Sequence, residues 1–256
     1  MKARPALLLA SKIAARVAQM LLVTAGAALS AQQSDAPPPP SLVPTNFPLK
    51  PIGPGMLELG LVRLDKQRGS ATIPAFVNMK EGIVEYLLVT SGGKTHESVL
   101  RTDAEPHHIH VAMLLLGARG AGTNELPADP ALRLPGDGVT VEIVWKNGAK
   151  ERRVRAESLV LDRKRKRAMA KGDWIYTGSR LREDGFAAQA DGSIISLITD
   201  VDALVNNPRP GREDDDRWLS KGKILPEFNE PVQVVVTLND GRRKRGGKAA
   251  VGALNR

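Results

Sequence analysis

The chain has 256 residues, no cysteine, a formal charge of +9 and only three Trp, two Tyr and four Phe. The missing cysteines exclude disulfides, thiolate metal sites and cysteine-held iron–sulfur clusters. No Gly-rich phosphate loop of either common type is present, which argues against a nucleotide enzyme.

The first residues carry Lys2, Arg4, Lys12 and Arg16 with no acidic residue before Asp35, then an apolar run from Val17 to Leu29 and small residues at Ala28, Ser30 and Ala31. This order predicts a secretory signal peptide over residues 1–31, cleaved after Ser30 or Ala31. At about thirteen residues the apolar run falls short of the roughly 20 that a spanning helix needs. The chain is therefore expected to be exported, periplasmic or extracellular in a bacterial cell envelope, with no transmembrane segment once the signal is removed. Loss of the four basic leader residues lowers the charge from +9 to +5. The remaining excess sits in Arg163-Lys164-Arg165-Lys166-Arg167 and Arg242-Arg243-Lys244-Arg245. Few aromatics and no nucleic-acid motif argue against a nucleic-acid partner and favour a solvated loop and a disordered tail over 241–256.

Pro37 to Pro40, then Pro44, Pro48, Pro51 and Pro54, mark residues 32–54 as an extended linker. Beyond it a single domain is expected over 55–240. Leu57, Leu59, Leu61 and Leu64 predict a first strand, Ala71–Val77 a second and Ile83–Val89 a third, with Thr95–Leu100 as the antiparallel partner of the third across Ser91-Gly92-Gly93. A helix follows over about 105–117, capped by Asp103 or Glu105, with Pro106 in its first turn and Gly117 past its end. Residues 111–116 are apolar in every direction, so this helix is expected to be buried. An irregular stretch, 120–138, precedes the alternating run Val139–Trp145. Asn147-Gly148 predicts a hairpin there, with a charged edge strand over Glu151–Glu157. Trp174–Tyr176, Phe186–Gln189 and Ile194–Ile198 read as strands, Asp200–Leu204 as a short capped helix and Pro231–Leu238 as a final strand. The fold class is α+β and β-rich, an antiparallel sandwich or open barrel with one buried helix.

Glu81-Gly82-Ile83-Val84-Glu85-Tyr86-Leu87-Leu88-Val89, Lys94-Thr95-His96-Glu97-Ser98 and the helix from His110 to Gly117 resemble the YdjY domain of bacterial exported proteins. So do Trp174-Ile175-Tyr176-Thr177-Gly178-Ser179, Asp200-Val201-Asp202-Ala203-Leu204 and Leu225-Pro226 ahead of the last strand. The resemblance spans roughly residues 55–240. It implies a single exported domain and transfers no catalytic residue.

All four histidines, His96, His107, His108 and His110, fall within fifteen positions. Imidazole is the commonest neutral metal ligand. His107 and His110, three apart, share a helix face, whereas His108 points away from His110. On a strand His96 and Glu97 face opposite sides, so one of them at most joins the pair. The economical metal site is His96, His107 and His110, with Glu97 as the alternative to His96. Three protein ligands suit a catalytic zinc, and a carboxylate version suits iron(II). The competing reading makes His110 a hydrogen-bonded residue of a buried helix and the others ordinary surface groups. Ser98 and Ser179 lack a nucleophile elbow and read as sheet or turn hydroxyls. Glu213-Asp214-Asp215-Asp216 lacks the spacing of a calcium loop and reads as solvated.

Three functional classes remain open: a binding or interaction module of the cell envelope, whose partner is a protein or polymer; a metal-dependent hydrolase or oxidoreductase using the histidine site; and a basic scaffold binding anionic polymer, which would lose affinity steeply with salt and on deletion of residues 241–256.

Overall fold

A computed structural model describes residues 49–122 and 126–239. The expected leader (1–31), the linker up to residue 48 and the tail (241–256) lie outside the described residues. The last part of the proline-rich stretch forms β1 (Leu49–Gly53), an exposed edge strand. An edge tolerates Pro51, which has no N–H to donate to a neighbour.

The expected first strand is a hairpin, β2 (Met56–Leu59) and β3 (Val62–Asp65), because Gly60 turns the chain at φ +56°. β4 (Ser70–Val77) follows as predicted. Its first half pairs with β3 at Thr72, Ala71 and Ser70, and its end pairs elsewhere, at Phe76 and Val77. Pro74, lacking an N–H, falls between the two stretches, and its carbonyl accepts the Thr102 hydroxyl at 2.5 Å.

The third and fourth predicted strands, β5 (Tyr86–Thr90) and β6 (Ser98–Thr102), pair in parallel rather than as a hairpin. Residues Ser91 to Glu97 run back along β5 and end in a 3-10 turn at Thr95–Glu97, so Ser98 lies beside Tyr86. β6 then meets the end of β4, with Val77 opposite Leu100.

Helix α1 (Pro106–Leu115) comes next and packs against β3 and β4. It is one-sided rather than wholly buried. Ile109, Ala112 and Met113 enter the core, while Leu114 and Leu115 are exposed. After an irregular segment tied down by Arg212, whose guanidinium donates to the carbonyls of Asp129, Pro130 and Leu132, the predicted hairpin appears. It consists of β7 (Asp137–Asn147) and β8 (Lys150–Arg155); β8 pairs with β7 alone and is the expected edge.

β9 (Val160–Asp162) and β10 (Arg167–Ala168) begin a small side sheet. β11 (Trp174–Tyr176) returns to the main sheet. β12 (Leu181–Arg182) and β13 (Gly185–Phe186) form a short hairpin. The predicted strand at Phe186–Gln189 is instead helix α2 (Ala187–Asp191), closed by Gly192 at φ +71°. β14 (Ser193–Ser196) and β15 (Val205–Asn206) flank a bend where a short helix was expected. Asp200 does cap there, accepting the Asp202 N–H at 2.8 Å, but Asn206 Oδ1 takes the Asp200 N–H and holds the segment as a loop. β16 (Trp218–Ser220) completes the side sheet and β17 (Pro231–Leu238) the main one.

The order β4-β17-β7-β11-β15-β14-β5-β6 closes on itself through the β6–β4 pairing. The architecture is therefore a closed, mixed, eight-stranded barrel, not an antiparallel sandwich or an open barrel. Its parallel pairs, β5–β6 and β14–β15, were invisible to a reading based on local turns. Eight strands leave an interior just wide enough for side chains. Ile73, Ala75, Val141, Ile143, Val234 and Val236 help to fill it. Among the described residues no helix is long and apolar enough to cross a membrane.

Candidate functional site

The four histidines part company in the fold. His96 sits on the 3-10 turn before β6, its side chain 79% exposed, with Nε2 3.7 Å from Oε2 of Glu97. The α1 histidines follow β6. Five strand residues at about 3.3 Å each separate the two ends of that strand, so His96 and Glu97 stand away from the helix start.

His110 turns to the other side. Its Nδ1 shares a 2.7 Å hydrogen bond with the Tyr176 hydroxyl, and its ring lies 4.9 Å from the Phe186 ring. Burial holds the His110 imidazole below its ordinary range and the Tyr176 phenol above its own, so both groups are neutral at physiological pH. This is the hydrogen-bonded helix histidine of the competing reading. The expected set His96, His107 and His110 is thus not brought together, and Glu97 does not replace His96 in it.

The side chains that do converge are Glu105, His107 and His108, whose ligand atoms lie within 4.8 Å of one another. Glu105 is the N-cap residue of α1, extended at φ −74°, ψ 129°, and makes no cap bond with its own side chain. Gln189 of α2 does the capping instead. Its Oε1 accepts the His107 N–H at 3.3 Å and stands 2.8 Å from His107 Nδ1. The opposite ring nitrogen, Nε2, lies 3.2 Å from Glu105 Oε2. His108 is 8% exposed, and its ring centroid is 4.2 Å from that of His107. Burial, then the neighbouring His107, lowers its pKa. Helical angles alone set His108 aside. Adjacent side chains nevertheless meet in a first helical turn when a neighbouring loop presses one of them inward, and here the Gly60 turn does so. Gln189 and Gly60 carry no signal in the sequence, since both lie far from the histidines along the chain and within stretches that look like strands.

A second surface lies at the far end of the β7–β8 hairpin. The inward-facing series Val139, Val141 and Ile143 continues to Trp145, past the barrel wall. Trp145 and Val154 stay half-buried there, above Leu225. The result is a groove of about 540 Å³ edged by Lys146, Arg152, Arg153 and Lys223. Trp145 pairs directly with Arg152 across the strands. Arg153 is neutralised by Glu142 and Glu151. Lys146, Arg152 and Lys223 have no ion-pair partner among the described residues. The sequence signal is the charged strand over Glu151–Glu157, which marks an edge or exposed face and no ligand.

Other conspicuous groups have structural work. The basic run at 163–167 meets acids, Lys164 with Asp214 and Arg165 with Asp162. Ser98 Oγ donates to the Leu100 carbonyl, and Ser179 Oγ donates to the Asp202 carbonyl while accepting the Ala188 N–H. Glu157 is fully buried between Arg155 at 2.7 Å and Arg209 at 2.9 Å.

Fold and surfaces together define a small closed-barrel domain with a filled interior, a basic groove on one hairpin and an imidazole cluster at a helix start. Its sequence matches the family model of the YdjY domain over residues 62–237, nearly the whole described domain, and the chain belongs to that family. No curated protein and no solved structure matches it.

Proposed function

We propose that this YdjY-domain protein is an exported binding module of the cell envelope that holds an anionic glycan in the β7–β8 groove. The observation that carries this reading is the pairing of a half-buried indole, Trp145, with the cations Lys146, Arg152 and Lys223, which have no acidic partner among the described residues. An indole face takes a sugar ring, and cations beside it take carboxylate or phosphate groups. Export rests on the basic, apolar and small-residue order of residues 1–31. The barrel itself, filled by aliphatic side chains, serves as a rigid mount for the hairpin.

The test is titration of the full chain with a polyuronate and with a neutral glucan of equal length. The reading expects binding to the polyuronate alone, weakening as salt screens the charges. It also expects at least a tenfold loss in Arg152→Glu and in Lys223→Glu. Equal affinity for the neutral glucan, or indifference to both substitutions, contradicts it.

A further inference from the structure

The whole chain holds four histidines and no cysteine, so an ion that prefers nitrogen or sulfur ligands has few places to bind. His96 lies exposed beside Glu97, and His110 is bonded to Tyr176. We infer that Glu105, His107 and His108 form a three-ligand site for a divalent transition-metal ion of the zinc class, completed by water. The inference is independent of the glycan reading, which concerns the other hairpin.

Three features carry it. First, the spacing fits. Two ligands on a tetrahedral ion with bonds of about 2.0–2.1 Å stand roughly 3.4 Å apart. Glu105 Oε2 and His107 Nε2 are 3.2 Å apart. His108 completes a group whose ligand atoms all lie within 4.8 Å of one another.

Second, the His107 ring is already oriented. The Gln189 carbonyl stands 2.8 Å from Nδ1 and also takes the backbone N–H of the same residue, so it is an acceptor and Nδ1 carries the proton. That assigns Nε2, the nitrogen facing Glu105, as the one that offers its lone pair in neutral imidazole. A carbonyl holding the far N–H is the usual outer support of a metal-bound histidine.

Third, His108 is seated, 8% exposed against the β2–β3 turn. Gly60 presses its backbone on the ring; a Cβ there would come within 2.8 Å of Cε1. The ligands come from the α1 start, and their supports from α2 and the β2–β3 turn. A bound ion would therefore touch α1 alone, with Gln189 and Gly60 bracing its ligands from two other elements.

The competing account of the same contacts is His107 bridging Gln189 and Glu105 with no ion involved. Full-length protein made without a histidine tag, stripped with chelator and titrated with Zn²⁺ and with Co²⁺ decides between them. The metal account expects one equivalent bound and visible cobalt absorption from a nitrogen and oxygen ligand set. His107→Ala and Glu105→Gln each lower affinity at least tenfold, and His96→Ala leaves it unchanged. Gln189→Leu, which removes the orienting carbonyl but no ligand, lowers affinity by about 10- to 100-fold. Glu105 and Gln189 are exposed, so these variants keep the fold, which circular dichroism verifies. Less than a tenth of an equivalent at micromolar zinc overturns the inference. So does binding that survives both His107→Ala and Glu105→Gln.

Discussion

Gly60 and the His108 ring are in contact across the β2–β3 turn, and the glycine permits it twice over. Its φ of +56° is left-handed, and any Cβ would press into Nδ1 and Cε1 of the imidazole. A left-handed non-glycine residue costs about 1–2 kcal/mol before any clash. Gly60→Ala is expected to destabilise the domain by at least that much in urea unfolding. It should also displace His108 enough to weaken zinc binding. An unchanged unfolding midpoint would show that the turn relaxes without cost.

Burial of His110, whose Nδ1 is bonded to Tyr176, ties stability to pH. Burial lowers the proton affinity of the folded His110 ring. Below about pH 6.5, the ordinary imidazole value, the unfolded chain takes up a proton that the folded one refuses. This contribution is complete above pH 6.5 and is lost as pH falls toward the folded pKa, with a slope of up to about 1.4 kcal/mol per pH unit. Unfolding free energies measured between pH 7.5 and 5, with chelator present, should fall on acidification. His110→Gln should flatten that fall, and equal slopes in both proteins would remove His110 from the account.

Glu157 is 0% exposed and bonded to Arg155, to the 10%-exposed Arg209 and, at 3.2 Å, to the Gly172 N–H. Burial alone would raise its pKa, but the Arg155 hydrogen bond and the neighbouring positive charges outweigh it and hold the carboxyl low. Glu157→Gln removes the negative charge between two guanidiniums, one of them stacked 5.1 Å over Trp174, though both keep the Gly172 carbonyl. The expected cost is about 3–5 kcal/mol, the range for breaking a buried pair. A loss under about 1 kcal/mol in chemical unfolding would mean that water reaches the site.

Charge reversal in the groove should behave in the opposite way. Arg152 and Lys223 are exposed and make no ion pair among the described residues, so replacing either with Glu should change stability by about 0.5 kcal/mol or less. The whole effect should appear in binding. A large drop in thermal midpoint would assign these cations to the fold and not to a ligand.

The elements legible in the sequence are those fixed by local chemistry. Asn147-Gly148 marks its hairpin because that dipeptide suits the turn, and the alternation of Val139 to Trp145 places β7. Pro106 and Gly117 bracket α1. What escaped depends on partners distant along the chain. Parallel pairing of Tyr86 with Ser98 needs a seven-residue return that resembles an ordinary hairpin loop. Barrel closure rests on Val77 meeting Leu100, which no short-range pattern announces. Phe186–Gln189 looks like a strand by composition, yet its alanines pack as a helix once Gly192 closes it. At the histidines, spacing alone selected His110. The fold gives that residue to Tyr176 and brings His108 forward through Gly60. Export, carried by residues outside the described structure, stands on sequence pattern alone.

The groove carries its own reporter, Trp145. Trp174 and Trp218 are 0% and 1% exposed, leaving Trp145 as the tryptophan that solvent reaches. Iodide or acrylamide quenching of the full chain therefore reads Trp145. Addition of polyuronate is predicted to protect this fluorescence in a saturable manner, with the protection lost in Arg152→Glu and at high salt. Polyuronate binding that leaves the quenching of Trp145 unchanged would place the ligand elsewhere and contradict the account.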